Sequence, residues 1–177
     1  NSPVVNAGLN ITSCKNNAAT VLTGTVSGAT TTGIWTGGAG TFNPNNTSLT
    51  ATYTPSASEI ASGFVNLILT STNNGNCSVA SDNVIINFST APSVYAGIDL
   101  SSCENNANSI LSGSVNGPTT SGIWTGGAGT FNPNNTSLNP IYIPTASEIA
   151  AGSVTLTLNS TNNGNCKQVK DRLIITF

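Results

Sequence analysis

The sequence contains no histidine and no methionine, and charged residues make up only 6% of its 177 positions. Histidine is the most frequent general base and a common metal ligand, so its absence removes the simplest catalytic and metal-binding sites. Only four Lys and Arg residues are present, too few for a surface that neutralises a phosphate backbone. No run approaches the roughly 18 apolar residues that span a bilayer. We therefore predict no enzyme, catalytic residue, metal or cofactor, no nucleic-acid binding and no membrane insertion.

Four cysteines in so small and weakly charged a chain favour an oxidising, extracellular compartment. Apolar residues account for 37% of the chain, so Thr, Ser, Asn and Gly must cover most of the surface. The sequence begins in mid-pattern at Asn1 and stops on a strand-like segment at Phe177. These features predict a fragment of a longer exported protein.

The sequence consists of two copies of one unit, with matching positions 89 residues apart. The segment Gly33–Leu49 recurs without change as Gly122–Leu138. The cysteines and tryptophans recur at the same spacing: Cys14, Trp35 and Cys77 match Cys103, Trp124 and Cys166. A period of this size indicates an array of whole domains. We place the two domains at residues 1–88 and 89–177, joined by a very short linker.

Apolar residues alternate with polar ones along several short segments of each unit. The segment Phe64–Thr70 has Val65, Leu67 and Leu69 on one face, and its counterpart in the second unit keeps that face apolar. This period of two is typical of strands with one buried face. Further candidate strands are Pro3–Ile11, Val21–Val26, Gly33–Thr36 and Leu49–Thr54. The pattern predicts an all-β fold of two tandem immunoglobulin-like β-sandwich domains, with about seven strands each.

One short helical turn is expected in each unit. A hydroxyl residue is followed three positions later by glutamate, as Ser56 with Glu59 and as Thr145 with Glu148. This spacing is that of a capping box, in which the hydroxyl and the glutamate satisfy each other's backbone amides. We predict that these four residues have a structural capping role.

Four segments, each present in both units, carry a resemblance to a known family. They are Ala7-Gly8 followed by a cysteine, Gly33–Phe42, Tyr53–Gly63 and Asn73–Cys77. Together they resemble the immunoglobulin-like or PKD-like repeats of giant surface adhesins of gliding, Bacteroidetes-type bacteria, of the SprB type. The resemblance covers the whole chain. It implies export to the bacterial cell surface, association with the outer membrane, and a role in adhesion or gliding motility.

The cysteines are the strongest candidate for a covalent feature. Each unit has its own pair, so we predict disulfides Cys14–Cys77 and Cys103–Cys166. A standard sandwich, however, would place the members of each pair at opposite ends of the domain. The alternative pairing is Cys14 with Cys166, across the junction of the two units. A zinc site is not expected, because the sequence has no CxxC motif and no histidine.

Two further sets of residues have a structural and a functional interpretation. Trp35 and Trp124 fit core positions, and the alternative is a platform on which a sugar ring could stack beside the glycine-rich loop. Asp82 and Asp171 fit local turn hydrogen bonds before the last strand, and the alternative is a contribution to a calcium site. We favour the structural interpretation of both sets.

Three functions remain open at this point. The first is a stalk or spacer of a large adhesin, with the neighbouring repeats of the same polypeptide as partners and the fragment itself monomeric. The second is direct binding of polysaccharide or a solid surface through the Trp- and Gly-rich segment, strengthened by repetition. The third is an accessory domain of a secreted enzyme.

Overall fold

The computed structural model describes all 177 residues and divides the chain into two compact units, Asn1–Ser89 and Thr90–Phe177. The strands of the first unit are β1 (Val4–Asn6), β2 (Ile11–Cys14), β3 (Thr20–Val21), β4 (Thr25–Ser27), β5 (Thr32–Thr36), β6 (Thr41–Asn43), β7 (Thr52–Thr54), β8 (Phe64–Thr72) and β9 (Ser81–Ser89). A short helix, α1 (Ala57–Ser62), lies between β7 and β8.

The strands of the first unit form two layers. One layer has the order β2-β9-β8-β5, in which β2 runs parallel to β9 and the other pairs are antiparallel. The other layer contains the two-stranded sheet β1-β4 and the three-stranded sheet β3-β7-β6. Strands β3 and β4 are two parts of one path, because the Leu22 and Gly24 amides between them donate to the carbonyls of Ala51 and Leu49. This arrangement is a seven-strand immunoglobulin-like sandwich whose first and second strands are each interrupted.

The core lies between the two layers and is set by the alternation of side chains along β8 and β9. Val65, Leu67 and Leu69 are buried, whereas Phe64 on the same strand is exposed. On β9, Val84 and the two alternate residues that follow it are buried as well. These side chains pack around one large aromatic centre, formed by Trp35 and Tyr53.

The helix α1 begins and ends with specific caps. Its N-cap is Ser56, whose hydroxyl accepts a hydrogen bond from the Glu59 amide, while the Glu59 carboxylate accepts one from the Ser56 amide. Gly63 terminates the helix in the left-handed conformation, with φ of 87°, which a side chain would disfavour.

The second unit repeats this architecture with its own core. Its strands are β10 (Ser93–Tyr95), β11 (Leu100–Ser101), β12 (Ser109–Ile110), β13 (Ser114–Asn116), β14 (Gly122–Thr125), β15 (Thr130–Asn132), β16 (Ile141–Ile143), β17 (Ser153–Ser160) and β18 (Lys170–Thr176). Its helix is α2 (Ala146–Ala150), capped by Thr145 and Glu148 in the same reciprocal way. The core surrounds Trp124 and Tyr142. Neither helix is long and apolar enough to cross a bilayer.

The all-β sandwich predicted from the sequence is confirmed, with local corrections to its strands. The predicted strand Val21–Val26 is interrupted between β3 and β4. The segment Pro3–Ile11 is not one strand, because β1 pairs with β4 in one layer and β2 pairs with β9 in the other. Gly8, with φ of 91°, lies at this change of layer. The predicted strand Leu49–Thr54 begins only at Thr52, and the glycine-rich segment leads into β6, which the sequence analysis did not predict.

Candidate functional site

The cysteine that ends β2 lies at the end of the first unit where its chain leaves. Cys14 is opposite Ser89, the last residue of β9, and the next residue, Lys15, donates its amide to the Ser89 carbonyl at 2.9 Å. The parallel pairing of β2 with β9 produces this position, since both strands run toward the same end of the sandwich. Cys14 therefore marks the C-terminal end of the unit.

The second cysteine of the first unit lies at the opposite end. Cys77 is in the loop between β8 and β9, and its Sγ is 3.8 Å from the carbonyl oxygen of Asn1. The whole of β9 separates this loop from Ser89. A nine-residue antiparallel strand rises about 25 Å, whereas disulfide-bonded cysteines have Cα atoms within about 7 Å. A Cys14–Cys77 bridge is therefore excluded by the fold of the unit.

The second unit places its cysteines in the same way. Ser101 is opposite Thr176 near the end of β18, and Ser102 donates its amide to the Thr176 carbonyl at 2.9 Å, which places Cys103 at the C-terminal end. The Cys166 Sγ is 3.7 Å from the carbonyl oxygen of Thr90, at the N-terminal end of this unit. Each unit thus carries one cysteine at each end.

The bonding states agree with this placement. Cys14 and Cys166 are disulfide-bonded, whereas Cys77 and Cys103 are exposed free thiols. Each predicted within-unit pair contains one bonded and one free cysteine, so the predicted bridges Cys14–Cys77 and Cys103–Cys166 are wrong. The bonded cysteines are the two of the alternative pairing.

The two tryptophans are core residues and have no surface available for a ligand. Trp35 and Trp124 both have a relative exposure of 0%. The indole Nε1 of Trp35 donates to the Leu49 carbonyl at 3.2 Å, and that of Trp124 donates to the Leu138 carbonyl at the same distance. A ring without an exposed face cannot stack on a sugar, so the hypothesis that these tryptophans contact a ligand is wrong.

The capping glutamate of each unit does more than cap a helix. One carboxylate oxygen of Glu59 accepts hydrogen bonds from the Tyr53 hydroxyl at 2.7 Å and from the Ala39 amide at 2.8 Å. The other oxygen accepts from the amide and hydroxyl of Ser56 at 2.7 and 2.9 Å. The Tyr53 hydroxyl in turn accepts the Gly40 amide at 2.9 Å. We call these five residues the glutamate network.

The second unit contains the same network on matching residues. Glu148 accepts hydrogen bonds from the Tyr142 hydroxyl at 2.8 Å, from the Ala128 amide at 2.7 Å and from the Thr145 amide at 2.8 Å. The Gly129 amide donates to the Tyr142 hydroxyl at 3.0 Å. The network therefore links the glycine-rich loop, the strand before the helix and the helix itself within each unit.

The glycine-rich loop is shaped by close packing on the central tyrosine. A Cβ atom at Gly38 would clash with the Tyr53 hydroxyl, and one at Gly40 would clash with the Thr54 carbonyl. Phe42, which follows the loop, packs on the Tyr53 ring with ring centres 4.8 Å apart. These glycines are required by the fold and do not indicate a phosphate-binding loop.

Burial and hydrogen bonding shift the acidities of this network in opposite directions. Desolvation by burial, together with the hydrogen bond to Glu59, raises the pKa of Tyr53 to about 12. Burial alone would also raise the pKa of Glu59, but the hydrogen bonds donated by Ser56, Tyr53 and Ala39 outweigh it and lower this pKa below its ordinary value. The pKa values of Tyr142 and Glu148 shift in the same directions for the same reasons.

These shifts predict a loss of stability in acid. A carboxylate with a lowered pKa stabilises the fold fully above its unfolded-state pKa of about 4.3. The contribution is lost as the pH falls through the lower folded-state value. We expect the free energy of unfolding, measured by urea titration, to decrease between about pH 5 and pH 3. A Glu59→Gln, Glu148→Gln double variant should be less stable at neutral pH by about 1–3 kcal/mol for each network, and its acid slope should be smaller.

The matched control for this experiment is Glu104→Gln, because Glu104 is an exposed glutamate outside both networks. This variant should retain the acid slope of the unchanged protein. An undiminished slope in the double variant would contradict the role that we assign to Glu59 and Glu148.

The two aspartates, which we predicted before the last strands with local turn bonds, lie within β9 and β18 and make long-range hydrogen bonds. The Asp82 Oδ2 atom accepts the Ala7 amide at 2.9 Å, and Asp171 accepts the Ala96 amide at the same distance. They hold the segment where the chain changes layers, next to Gly8 and its counterpart. No three His, Cys, Asp or Glu side chains come together as a metal-ligand group.

A surface concavity occurs in the second unit. It is lined by Thr157, Lys170, Asp171 and Arg172. The positions that match Lys170 and Arg172 are Ser81 and Asn83, so the two cations are not a feature of the repeated unit. A ligand site common to the repeats cannot depend on them.

The comparison with titin domains supports the fold. The E-to-A mutated variant of titin domains I67–I69 matches with a TM-score of 0.53 at 9% identity, over 98% of this chain and 65% of that one. The insect immune protein hemolin matches with a TM-score of 0.49 at 10% identity, over 98% of this chain and 46% of that one. The chain thus spans about half to two thirds of the length of these structures. No protein-family model and no curated protein matches the sequence.

The topology and the titin comparison together define the class of the protein. It consists of two tandem immunoglobulin-like β-sandwich domains, each of which has its own hydrophobic core. In both domains the buried tryptophan and the glutamate network contribute to the fold.

Proposed function

We propose that the chain is a pair of spacer repeats from the stalk of a large bacterial cell-surface adhesin of the gliding-motility type. In this role each repeat holds a distal adhesive region away from the cell and carries no catalytic centre. The neighbouring repeats of the same polypeptide are its partners. The disulfide-bonded cysteines support an oxidising, extracellular location.

The main support for this proposal is that the unchanged segment Gly33–Leu49 makes its contacts within the fold of its own unit. Trp35 fills the core and donates to the Leu49 carbonyl, and the Asn46 side-chain amide donates to the Trp35 carbonyl at 3.2 Å. The Asn45 side chain accepts the amides of Thr47 and Ser48 at 3.1 Å, which stabilises the local turn. The segment that is identical in both repeats is therefore explained by folding, without a ligand.

Self-contained units of this kind suit a spacer. A core inside each unit lets repeats be added without altering those already present, as in other repeat arrays where each unit contacts only its neighbours. Low surface charge also makes the properties of such an array insensitive to salt.

The proposal predicts where the protein is found in the cell that encodes it. An antiserum raised against this two-repeat chain should label intact, unpermeabilised bacteria, and treatment with an external protease should remove the signal. Antiserum against a cytoplasmic protein of the same cells is the control and should give no label. Labelling that appears only after permeabilisation would contradict a surface stalk.

A binding assay separates the spacer from the competing hypothesis of direct adhesion. The purified two-repeat chain should give no specific signal on a glycan array or on a polysaccharide-coated surface. Saturable binding that survives competition by an unrelated protein of equal charge would overturn the spacer assignment and favour a binding repeat.

A further inference from the structure

We propose that successive copies of this repeat are joined by disulfides, each linking the C-terminal cysteine of one copy to the N-terminal cysteine of the next. Cys77 and Cys103 are then the attachment points for two flanking copies of the same repeat. This inference deepens the proposed stalk function and relies on it for the oxidising compartment.

The placement of the cysteines within each unit is the first argument. Cys14 and Cys103 lie where the last strand of their unit ends, and Cys77 and Cys166 lie beside the first residue of theirs. The two cysteines of one unit cannot bond to each other, because the length of the sandwich separates them. A disulfide partner for either cysteine must therefore come from outside its own unit.

The bonding pattern is the second and independent argument. Of the four cysteines, the bonded ones are Cys14, at the C-terminal end of the first copy, and Cys166, at the N-terminal end of the second. The two that remain free are Cys77, at the N-terminal end of the first copy, and Cys103, at the C-terminal end of the second. These are the positions whose partners would belong to a preceding and a following copy.

The environment of the two free thiols fits a covalent partner. Both are exposed, so an incoming chain can reach them. Neither belongs to a group of metal-ligating side chains, and the sequence has no histidine that could activate a nucleophilic thiol. A second thiol presented by a matching repeat is the partner that this environment accommodates.

The bond forms by oxidation of two thiols. Each thiol loses one proton, the pair loses two electrons, and a disulfide oxidant such as oxidised glutathione accepts them and becomes two glutathione thiols. In the cell, an exported disulfide-donating oxidoreductase would supply the same two-electron oxidation.

A mixing experiment with two purified full-length variants tests the inference. Cys77→Ser retains only the C-terminal free thiol, and Cys103→Ser retains only the N-terminal one. Incubated together with oxidised glutathione, they should form a covalent heterodimer, seen on a non-reducing gel, at about ten times the rate of either homodimer. Addition of reductant should separate this heterodimer into monomers. The Cys77→Ser, Cys103→Ser double variant should stay monomeric.

Two outcomes of the mixing experiment would overturn the proposal. One is formation of homodimers as fast as the heterodimer, which would show that the thiols pair without regard to the end of the repeat. The other is the absence of any covalent dimer while oxidised glutathione still forms a mixed disulfide with the free thiol of each variant and releases one reduced glutathione. Because purified protein is used, these failures are distinct from a failure to label the cell surface.

A digest of the unchanged protein provides a second test. Cleavage after Glu59, Glu104 and Glu148 yields fragments 1–59 with Cys14, 60–104 with both free thiols, and 149–177 with Cys166. The free thiols are alkylated, and no reductant is added. Fragments 1–59 and 149–177 should then migrate as one disulfide-linked species. Fragment 60–104 should be released with two alkylated cysteines. A link from 60–104 to both other fragments would show pairing within repeats and contradict the inference.

Discussion

Replacing Trp35 with alanine is expected to lower the free energy of unfolding of the first repeat by about 3–5 kcal/mol. The indole is fully buried at the centre of the core, and its Nε1 donates to the Leu49 carbonyl. Alanine would leave a large cavity and would remove one of the two hydrogen bonds that the Leu49 carbonyl accepts, the other being donated by the Gly24 amide. This loss is a large share of the total stability of a typical domain, about 5–15 kcal/mol.

The two tryptophans of the chain make the experiment specific for each repeat. In the Trp35→Ala variant, Trp124 is the only remaining indole, so tryptophan emission reports the second repeat alone. With the disulfide reduced, we expect circular dichroism to show an early transition of the first repeat, while the emission midpoint in urea stays unchanged. Trp124→Ala should give the mirror result.

Leu9→Ala is the matched control, because Leu9 is a large apolar residue with 89% exposure. Its effect should stay within about 0.5 kcal/mol. If Trp35→Ala shifted the Trp124 emission midpoint as much as the circular dichroism transition, the two repeats would share one cooperative unit and our description of separate cores would fail.

The regular parts of the fold are predictable from the sequence because they depend on short-range patterns. Alternation along Phe64–Thr70 identifies the buried face of β8, and Val65, Leu67 and Leu69 are buried as that alternation requires. The Ser56–Glu59 spacing identifies the start of α1, since both partners of the cap lie within one helical turn.

The parts that the sequence did not predict depend on contacts between distant segments. The residues next to Glu59 do not indicate that its carboxylate also accepts a hydrogen bond from the Ala39 amide, 20 residues away. The sequence leaves two pairings of Cys14 open, and the parallel pairing of β2 with β9 excludes Cys77, because it places the two cysteines at opposite ends of the unit. The repeat pattern also allowed the other pairing. Every copy has one cysteine at each end, so a cysteine of one copy can pair with a cysteine of the next.

We infer that the two repeats resist force independently of each other. With the disulfide reduced, each repeat has only its own core and its own glutamate network to resist force. We therefore expect the repeats to unfold one at a time when the chain is stretched from its two ends. Each of them is the size of a whole immunoglobulin-like domain, so the length released in each event is large and easily resolved.

Single-molecule stretching of the reduced two-repeat chain measures this property directly. A fully extended chain spans at most about 3.3–3.6 Å per residue, so the unfolding of one repeat should release about 250–300 Å. If the two repeats unfold independently, we expect two separate events of this size in each complete trace. A single event that releases about 500–600 Å, twice the length expected from one repeat, would contradict the independence of the two repeats.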